Sequence, residues 1–261
     1  MSESAISSWL AWHKPNPKAR LRLFCFPYGG GAAGAYRAWQ DHLPSSIEVC
    51  PVQIPGRENR LHEPCYTSLD LLVEATAEGL AGLLDKPFAF FGHSMGAMLG
   101  FELARYLRQK QLAQPVYLFA SGRRPPHVAD HWRIIYNLER DEFIVALREL
   151  NSTRKEVFEN DDLLNLLLPM LRADYEIVQT YRYRPGDPFK FPVTAFGGEE
   201  DIDESKEHLE AWREQTRSSF SLHMFPGNHF FIHSSRQALL QIIREQLKLS
   251  LDKKHSNERS L

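Results

Sequence analysis

The chain predicts an α/β fold, with a mostly parallel central sheet flanked by helices, and three observations support this. Short apolar runs of strand length alternate with stretches of helical periodicity, the pattern of a parallel sheet covered on both faces. One of these runs, Phe88-Ala89-Phe90-Phe91, leads straight into a glycine-flanked turn and then a helix rich in small and apolar residues. With 261 residues and 43% hydrophobic composition, the chain is long enough to bury one full core. Residues 1–250 are therefore expected to form one domain, followed by a polar tail at 251–261 that has nothing to bury.

The elements follow in order. Leu21 to Phe26 and Val49 to Ile54 read as early strands. From Leu69 through Leu72, Val73, Leu80, Leu83 and Leu84 the spacing is helical, and Thr67 with Asp70 offers a capping box at its start. A strand at Phe88 to Phe91, a helix at Gly96 to Arg108 and a strand at Val116 to Ala120 come next. The alternation resumes with a strand at Val193 to Phe196, a helix from Lys206 to about Thr216, a strand at Phe220 to Phe225 and a last helix through Leu239 to Leu247. This succession resembles the α/β-hydrolase fold.

Between Arg123 and Phe191 the alternation stops. Amphipathic helices are expected there instead, for example Phe143 to Leu150 and Leu163 to Tyr181, the second interrupted by Pro169. Loops beyond the carboxyl ends of parallel strands build the binding site, so an insertion at about 123–190 is placed to act as a lid. An extra helical layer with no gating role is the alternative.

Gly92-His93-Ser94-Met95-Gly96 matches the G-x-S-x-G nucleophile elbow, and its position between a buried strand and a helix is the context that motif needs. The flanking glycines fit the steric demand of a tight turn around a strained serine. A serine hydroxyl alone is a weak nucleophile. It needs a base to take its proton and a carboxylate to orient that base, in the chain order Ser, Asp or Glu, His. His229, on the glycine-containing loop after the last strand, is the expected base, with His223 and His233 as competitors. Asp201, just after Gly197-Gly198-Glu199-Glu200, is the expected acid, with Asp203 and Glu200 as competitors. Two backbone amides should complete an oxyanion hole: that of Met95, after the serine, and that of Gly29 in Phe26-Pro27-Tyr28-Gly29-Gly30-Gly31.

Gly29 to Gly34 also fits G-x-G-x-x-G. A dinucleotide site is not expected, because Pro27 and Tyr28 separate strand from glycine and Pro55-Gly56-Arg57 stands where an acidic residue belongs. The chain carries 31 Lys and Arg against 33 Asp and Glu, a formal charge of -2, so no basic field attracts nucleic acid. Cys25, Cys50 and Cys65 form no C-x-x-C pair and no zinc spacing, so no metal is expected and the thiols suit a reducing cytoplasm. Met1 to Lys18 lacks a signal pattern, and no window reaches the roughly eighteen apolar residues of a membrane span. A soluble cytoplasmic monomer is expected.

The motifs FPYGGGA, IPGRENRLHEP, FFGHSMGAMLGFELAR, SGRRPP, LRADYEIVQTYRY, FGGEED and FPGNHFF occur in this order, from about Leu21 to Leu247. Together they resemble the signatures of type II thioesterases, stand-alone α/β-hydrolases that serve nonribosomal peptide, polyketide or fatty-acid synthases. Position by position, the resemblance puts the triad on Ser94, Asp201 and His229 and the oxyanion amides on Met95 and Gly29. One departure is visible, since the family often has alanine where Gly29 stands, but the amide rather than the side chain donates. The resemblance implies cleavage of acyl, aminoacyl or peptidyl groups from the phosphopantetheine arm of a carrier protein, or from small acyl thioesters, without a cofactor. The role implied is to clear misprimed or stalled modules or to release chains. A medium-chain fatty-acyl chain-terminating thioesterase and a general esterase or lipase-like hydrolase are the alternatives.

Two groups of residues stay open at this level. Arg57, Arg60, Arg123 and Arg124 could offer a basic rim to an acidic carrier protein, or simply pair with loop carboxylates such as Glu58 and Glu63. Tyr28, Phe143, Phe158 and Tyr175 could line an acyl channel or pack in the core.

Overall fold

The computed structural model describes residues 8–130, 132–150 and 155–258. Six strands form one sheet in the order β2-β1-β3-β4-β5-β6, and every neighbouring pair is parallel. They are β1 (Leu21–Phe26), β2 (Ile47–Pro51), β3 (Phe88–His93), β4 (Tyr117–Ser121), β5 (Val193–Gly198) and β6 (Phe220–Phe225). The expected α/β architecture is thus the observed one. Alternate strand residues feed two cores. Phe24, Phe26, Phe88, Phe90, Leu118 and Ala195 face α1 (Leu69–Leu80) and α2 (Met95–Gln109), whereas Leu23, Cys25, Phe91, Phe119 and Phe196 face the long C-terminal helix. Apolar residues on both faces are what a doubly covered parallel sheet demands.

Several boundaries differ from the sequence expectation. The β2 pairing ends at Pro51, because Val52 turns to bridge Leu10 and Gln53 N–H bonds Trp9 O, so the apolar run through Ile54 outlasts the strand. The capping box on Thr67 and Asp70 does not form. Helix α1 starts at Leu69 with Ser68 in the cap position and no side-chain cap bond, and Asp70 pairs instead with Arg184 at 2.9 Å.

The insertion after β4 holds α3 (Arg140–Glu149) and α4 (Asp161–Thr180). Pro169 lies inside α4 without ending it. Phe143, Ala146, Leu147, Met170 and Leu171 give these two helices an apolar cluster of their own. The predicted helix beyond β5 is α5 (Lys206–Glu210), continued by a 3-10 turn at Ala211–Gln215 that buries Trp212. After β6 come α6 (Phe231–Ser234) and α7 (Arg236–Glu258), the latter running on past Leu251, where the sequence predicts the start of a polar tail; Arg259 to Leu261 lie outside the described residues. No helix among the described residues is long and apolar enough to cross a membrane.

The strand register aligns the carboxyl ends: Phe26 opposite Gly92, His93 opposite Ser121, Ser121 opposite Phe196 and Gly198 opposite Phe225. The loops bearing Gly29, Ser94, Asp201 and His229 therefore all leave the same edge of the sheet.

Candidate active site

Ser94 sits between β3 and α2 with φ 53° and ψ −117°, in a region that residues with a side chain rarely occupy. The surroundings leave no alternative. A Cβ on Gly92 would overlap the Gly96 backbone, and one on Gly96 would overlap the Phe26 backbone, so both flanking glycines are sterically required. Ser94 N–H donates to Ser121 O at 2.8 Å, and Ala97 N–H donates to Ser94 O at 2.9 Å, which anchors the turn on both sides.

The loop after β5 and the loop after β6 meet beside it. His229 Nδ1–H donates to Asp201 Oδ2 at 2.7 Å, and that carboxylate is about 1% exposed. Asp201 Oδ1 accepts from the N–H groups of Asp203 and Glu204 at 3.1 and 3.3 Å, so its orientation is set before it meets the imidazole. With Nδ1 committed as donor, Nε2 of the neutral ring is left as acceptor. Ser94, His229, Gly29 and Met95 all line one small cavity of about 50 Å³, together with Tyr28, Trp132, Asp174, Tyr175, Val178, Asp203 and Phe230. Among the described residues no hydrogen bond is made by the Ser94 hydroxyl, nor by the N–H of Gly29 or Met95. The neighbouring amides are used, Gly30 N–H on Asp174 Oδ2 and Gly31 N–H on Tyr28 O, both at 2.8 Å.

The competitors are placed elsewhere or otherwise engaged. Glu200 is exposed, and its N–H bonds Gly227 O at 3.0 Å. Asp203 lines the cavity, but His229 Nδ1 bonds Asp201 instead, and burial, then the charge of Asp201, pushes the Asp203 carboxyl up. His233 shares a contact with the Tyr28 hydroxyl at 3.2 Å, and His223 lies in β6 against Phe196. Completely buried, His93 has its ring 4.9 Å from that of His229. Burial first, then repulsion from His229 and His233 whenever those rings are charged, holds it well below the usual histidine range.

Of the two readings left open for Arg57, Arg60, Arg123 and Arg124, a basic rim or pairing with carboxylates, the structure shows the second, since all four are buried and paired. Arg57 pairs with Asp174 at 2.7 Å and Arg60 with Glu63 at 2.6 Å. Arg123 and Arg124 converge on the fully buried Glu204 at 3.7 and 3.0 Å, and Arg124 Nη2 also donates to Asp203 O at 2.5 Å. They therefore brace the loop that carries Asp201. Burial pushes the Glu204 carboxyl up to about 7 despite both guanidinium groups. Of the aromatics, Tyr28 and Tyr175 reach the cavity, whereas Phe143 and Phe158 pack in the helical cluster of the insertion. Sequence reasoning misses Trp132, Asp174 and Val178 as cavity residues: nothing local marks Trp132 or Val178, and the one signal for Asp174 is an acid on the buried side of α4.

Among the described residues, the donors of His13, Glu48 and Cys50 alone lie close enough together to hold a metal. Arg22 and His13 already engage Glu48 at 3.2 and 2.7 Å, and burial keeps the Cys50 thiol protonated. The set therefore does not fit a metal centre.

An all-parallel sheet whose central strand turns through a strained serine into a helix defines a hydrolase of the α/β-hydrolase class. More specifically, the chain belongs to the thioesterase domain family, whose model matches residues 21–247, and its reaction class is thioester hydrolysis. It is 49% identical over 245 residues to the linear gramicidin dehydrogenase LgrE of Brevibacillus parabrevis, covering 93% of each chain. The thioesterase RedJ from the prodiginine pathway of Streptomyces coelicolor superposes with a TM-score of 0.82 at 38% identity, over 88% of this chain and 92% of that one. YbtT, a type II thioesterase of the yersiniabactin NRPS/PKS pathway, does so with a TM-score of 0.76 at 28% identity, over 90% and 96%. The type II thioesterase resemblance read from the motifs therefore stands.

Proposed function

We propose that this thioesterase hydrolyses acyl, aminoacyl or peptidyl groups from the phosphopantetheine arm of a carrier protein, by an acyl-enzyme mechanism on Ser94, His229 and Asp201. It acts as a cytoplasmic monomer that clears misprimed or stalled synthase modules or releases their chains. One observation carries the reading: the strained serine opens onto the same cavity as an imidazole braced by a buried carboxylate at 2.7 Å.

The steps follow from the parts. The Ser94 Oγ–H proton passes to His229 Nε2 as Oγ bonds the thioester carbonyl carbon. Negative charge collects on the carbonyl oxygen, where the unspent amides of Gly29 and Met95 stabilise it, each donor worth about 3 to 4 kcal/mol. The C–S bond then breaks, and the proton on Nε2 goes to the departing thiol. Water repeats the sequence, giving its proton to His229, and the acid leaves as Oγ takes that proton back. Asp201 holds the tautomer and stabilises the transient imidazolium. Ligand sites usually span about 300 to 1,000 Å³, so a cavity of about 50 Å³ must widen to admit an acyl group. Residues 123–190 act as the lid, since Trp132, Tyr175 and Val178 wall the cavity from that segment.

The name of LgrE favours a second reading, a nucleotide-dependent dehydrogenase using the Gly29 to Gly34 loop. The local geometry opposes it. That loop leads into a four-residue 3-10 turn, Ala33–Tyr36, not the long helix whose N-terminus receives a pyrophosphate, and the Glu58 carboxylate packs against Gly34. Intact-mass measurement on a panel of acylated carrier proteins, beside labelling with a fluorophosphonate, separates the readings. Release of acid with loss of labelling in Ser94→Ala is expected. Failure to label Ser94, or oxidation of a reduced nicotinamide dinucleotide in place of hydrolysis, sinks the proposal. Faster turnover of matched oxygen esters than of thioesters would shift it to a general esterase.

A further inference from the structure

Arg57 and Asp174 come from two motifs that the triad does not use, PGRENR and LRADY, and stand 117 positions apart. Both side chains are nearly sealed from solvent, at 4% and 2% exposure. Arg57 grips Asp174 with two nitrogens, Nη2 to Oδ1 at 2.7 Å and Nη1 to Oδ2 at 3.1 Å. Each partner also holds the loop after β1: Arg57 Nη1 donates to Gly31 O at 2.9 Å, and Asp174 Oδ2 accepts from Gly30 N–H at 2.8 Å.

The loop is a tight turn. Gly31 N–H closes onto Tyr28 O at 2.8 Å, and Gly30, at φ 74°, occupies the left-handed position that a type II turn requires. Two peptide planes flank Gly29, and both are pinned. The plane carrying Gly29 N–H is fixed through its carbonyl, Tyr28 O, while the next is fixed through its N–H on Asp174. Asp174 is also on α4, in the wall of the cavity shared with Ser94 and His229. A bare carboxylate there would repel a developing oxyanion, and Arg57 neutralises it.

We infer that the Arg57–Asp174 pair is a clasp that positions the Gly29 amide for the oxyanion and keeps the charge beside it neutral, tying the loop after β1 to helix α4 of the insertion. These are positioning residues; neither exchanges a proton with substrate. The inference rests on the oxyanion role proposed for Gly29 above.

Replacing a buried ion pair by apolar residues of similar size often leaves stability intact, whereas removing one partner strands a charge. Asp174→Leu, Arg57→Met, the double variant Arg57→Met with Asp174→Leu, and Asp174→Asn are therefore compared on one acyl-pantetheine thioester. Binding of a trifluoromethyl ketone analogue, which forms a tetrahedral adduct, is measured in parallel with melting temperature. The double variant should melt near the wild type yet lose about 10²- to 10³-fold in kcat, the size of one oxyanion donor, with KM within about threefold. Its analogue affinity should fall by a similar factor. Arg57→Met alone should be slower still, because the carboxylate is then unpaired, and Asp174→Asn, which keeps an acceptor for Gly30 N–H, should recover at least tenfold over Asp174→Leu. A folded double variant with wild-type kcat and analogue affinity overturns the clasp while labelling of Ser94 leaves the hydrolase reading standing. If Ser94→Ala itself retains hydrolysis, both fall. Should Asp174→Leu or Arg57→Met fail to fold, the double variant and Asp174→Asn still decide.

Discussion

The serine elbow and the two loops that face it are held by opposite means. Around Ser94 the constraint is steric and local: Gly92 and Gly96 let backbone pass where no Cβ fits, within five consecutive residues. Around Asp201 and Gly29 the constraint is electrostatic and distant, with Arg124 and Glu204 bracing one loop and Arg57 and Asp174 the other. On the proposed mechanism the reacting groups sit in short motifs, while the pairs that hold their loops are assembled from residues far apart in the chain. Local packing tolerates no substitution at the glycines; the charged braces trade desolvation cost for fixed geometry.

The largest test of the comparison removes the nucleophile. Ser94→Ala should lower kcat on an acylated carrier protein by about a million-fold, as in analogous triads, and His229→Ala by nearly as much. Retention of more than a few per cent would mean the strained turn serves folding alone. Next in size is Asp201→Asn, expected to cost about 10⁴-fold in kcat through the wrong imidazole tautomer, with the melting temperature little changed. A loss of tenfold or less would assign the orienting role to Asp203 instead.

How far the sequence reaches follows from the same division. Phe88 to Phe91 running into G-H-S-M-G, and F-P-G-N-H after the last strand, declare themselves because their signals are contiguous. Strand β1 and strand β6 have the expected limits, and Asp201 with His229 are brought together as expected. For Arg123 and Arg124 the sequence leaves a basic surface and internal pairing both open, because burial is a property of the folded chain and their partners Asp130 and Glu204 lie 7 and 80 positions away. Pro169 reads as a helix breaker, yet α4 accommodates it, its apolar face held by the cluster around Phe143 and Met170. Asp174 could have been suspected only as an acid on the apolar side of an amphipathic helix.

The electrostatic brace can be broken on its own. Glu204→Ala leaves Arg123 and Arg124 converging on a vacated, fully buried position, and at pH 8 it should destabilise the fold by about 3 to 5 kcal/mol in denaturant titration. Glu204→Gln should cost less, because it keeps an acceptor for Arg124 Nε. Equal losses for the two variants would show that volume, not charge pairing, is what the loop requires.

The smallest effect concerns His93, the buried neighbour of the nucleophile, and it separates packing from charge within the elbow itself. Its folded-state pKa is held well below 6.5 by burial, with His229 and His233 adding to the shift. As pH falls below 6.5 the unfolded chain therefore takes up a proton that the folded chain refuses, and stability declines by about 1.4 kcal/mol per pH unit from this one group. His223, also depressed by burial, adds a second contribution of the same sign. Above 6.5 neither group contributes a slope, because the imidazoles are neutral in both states. His93→Gln, able to keep a bond to the Ser121 hydroxyl, should remove one proton's worth of slope between pH 6.5 and 5 in urea titrations, and His223→Gln part of another. An unchanged slope in His93→Gln would mean that water reaches the ring when it is charged, and that the elbow is less tightly closed than its glycines imply.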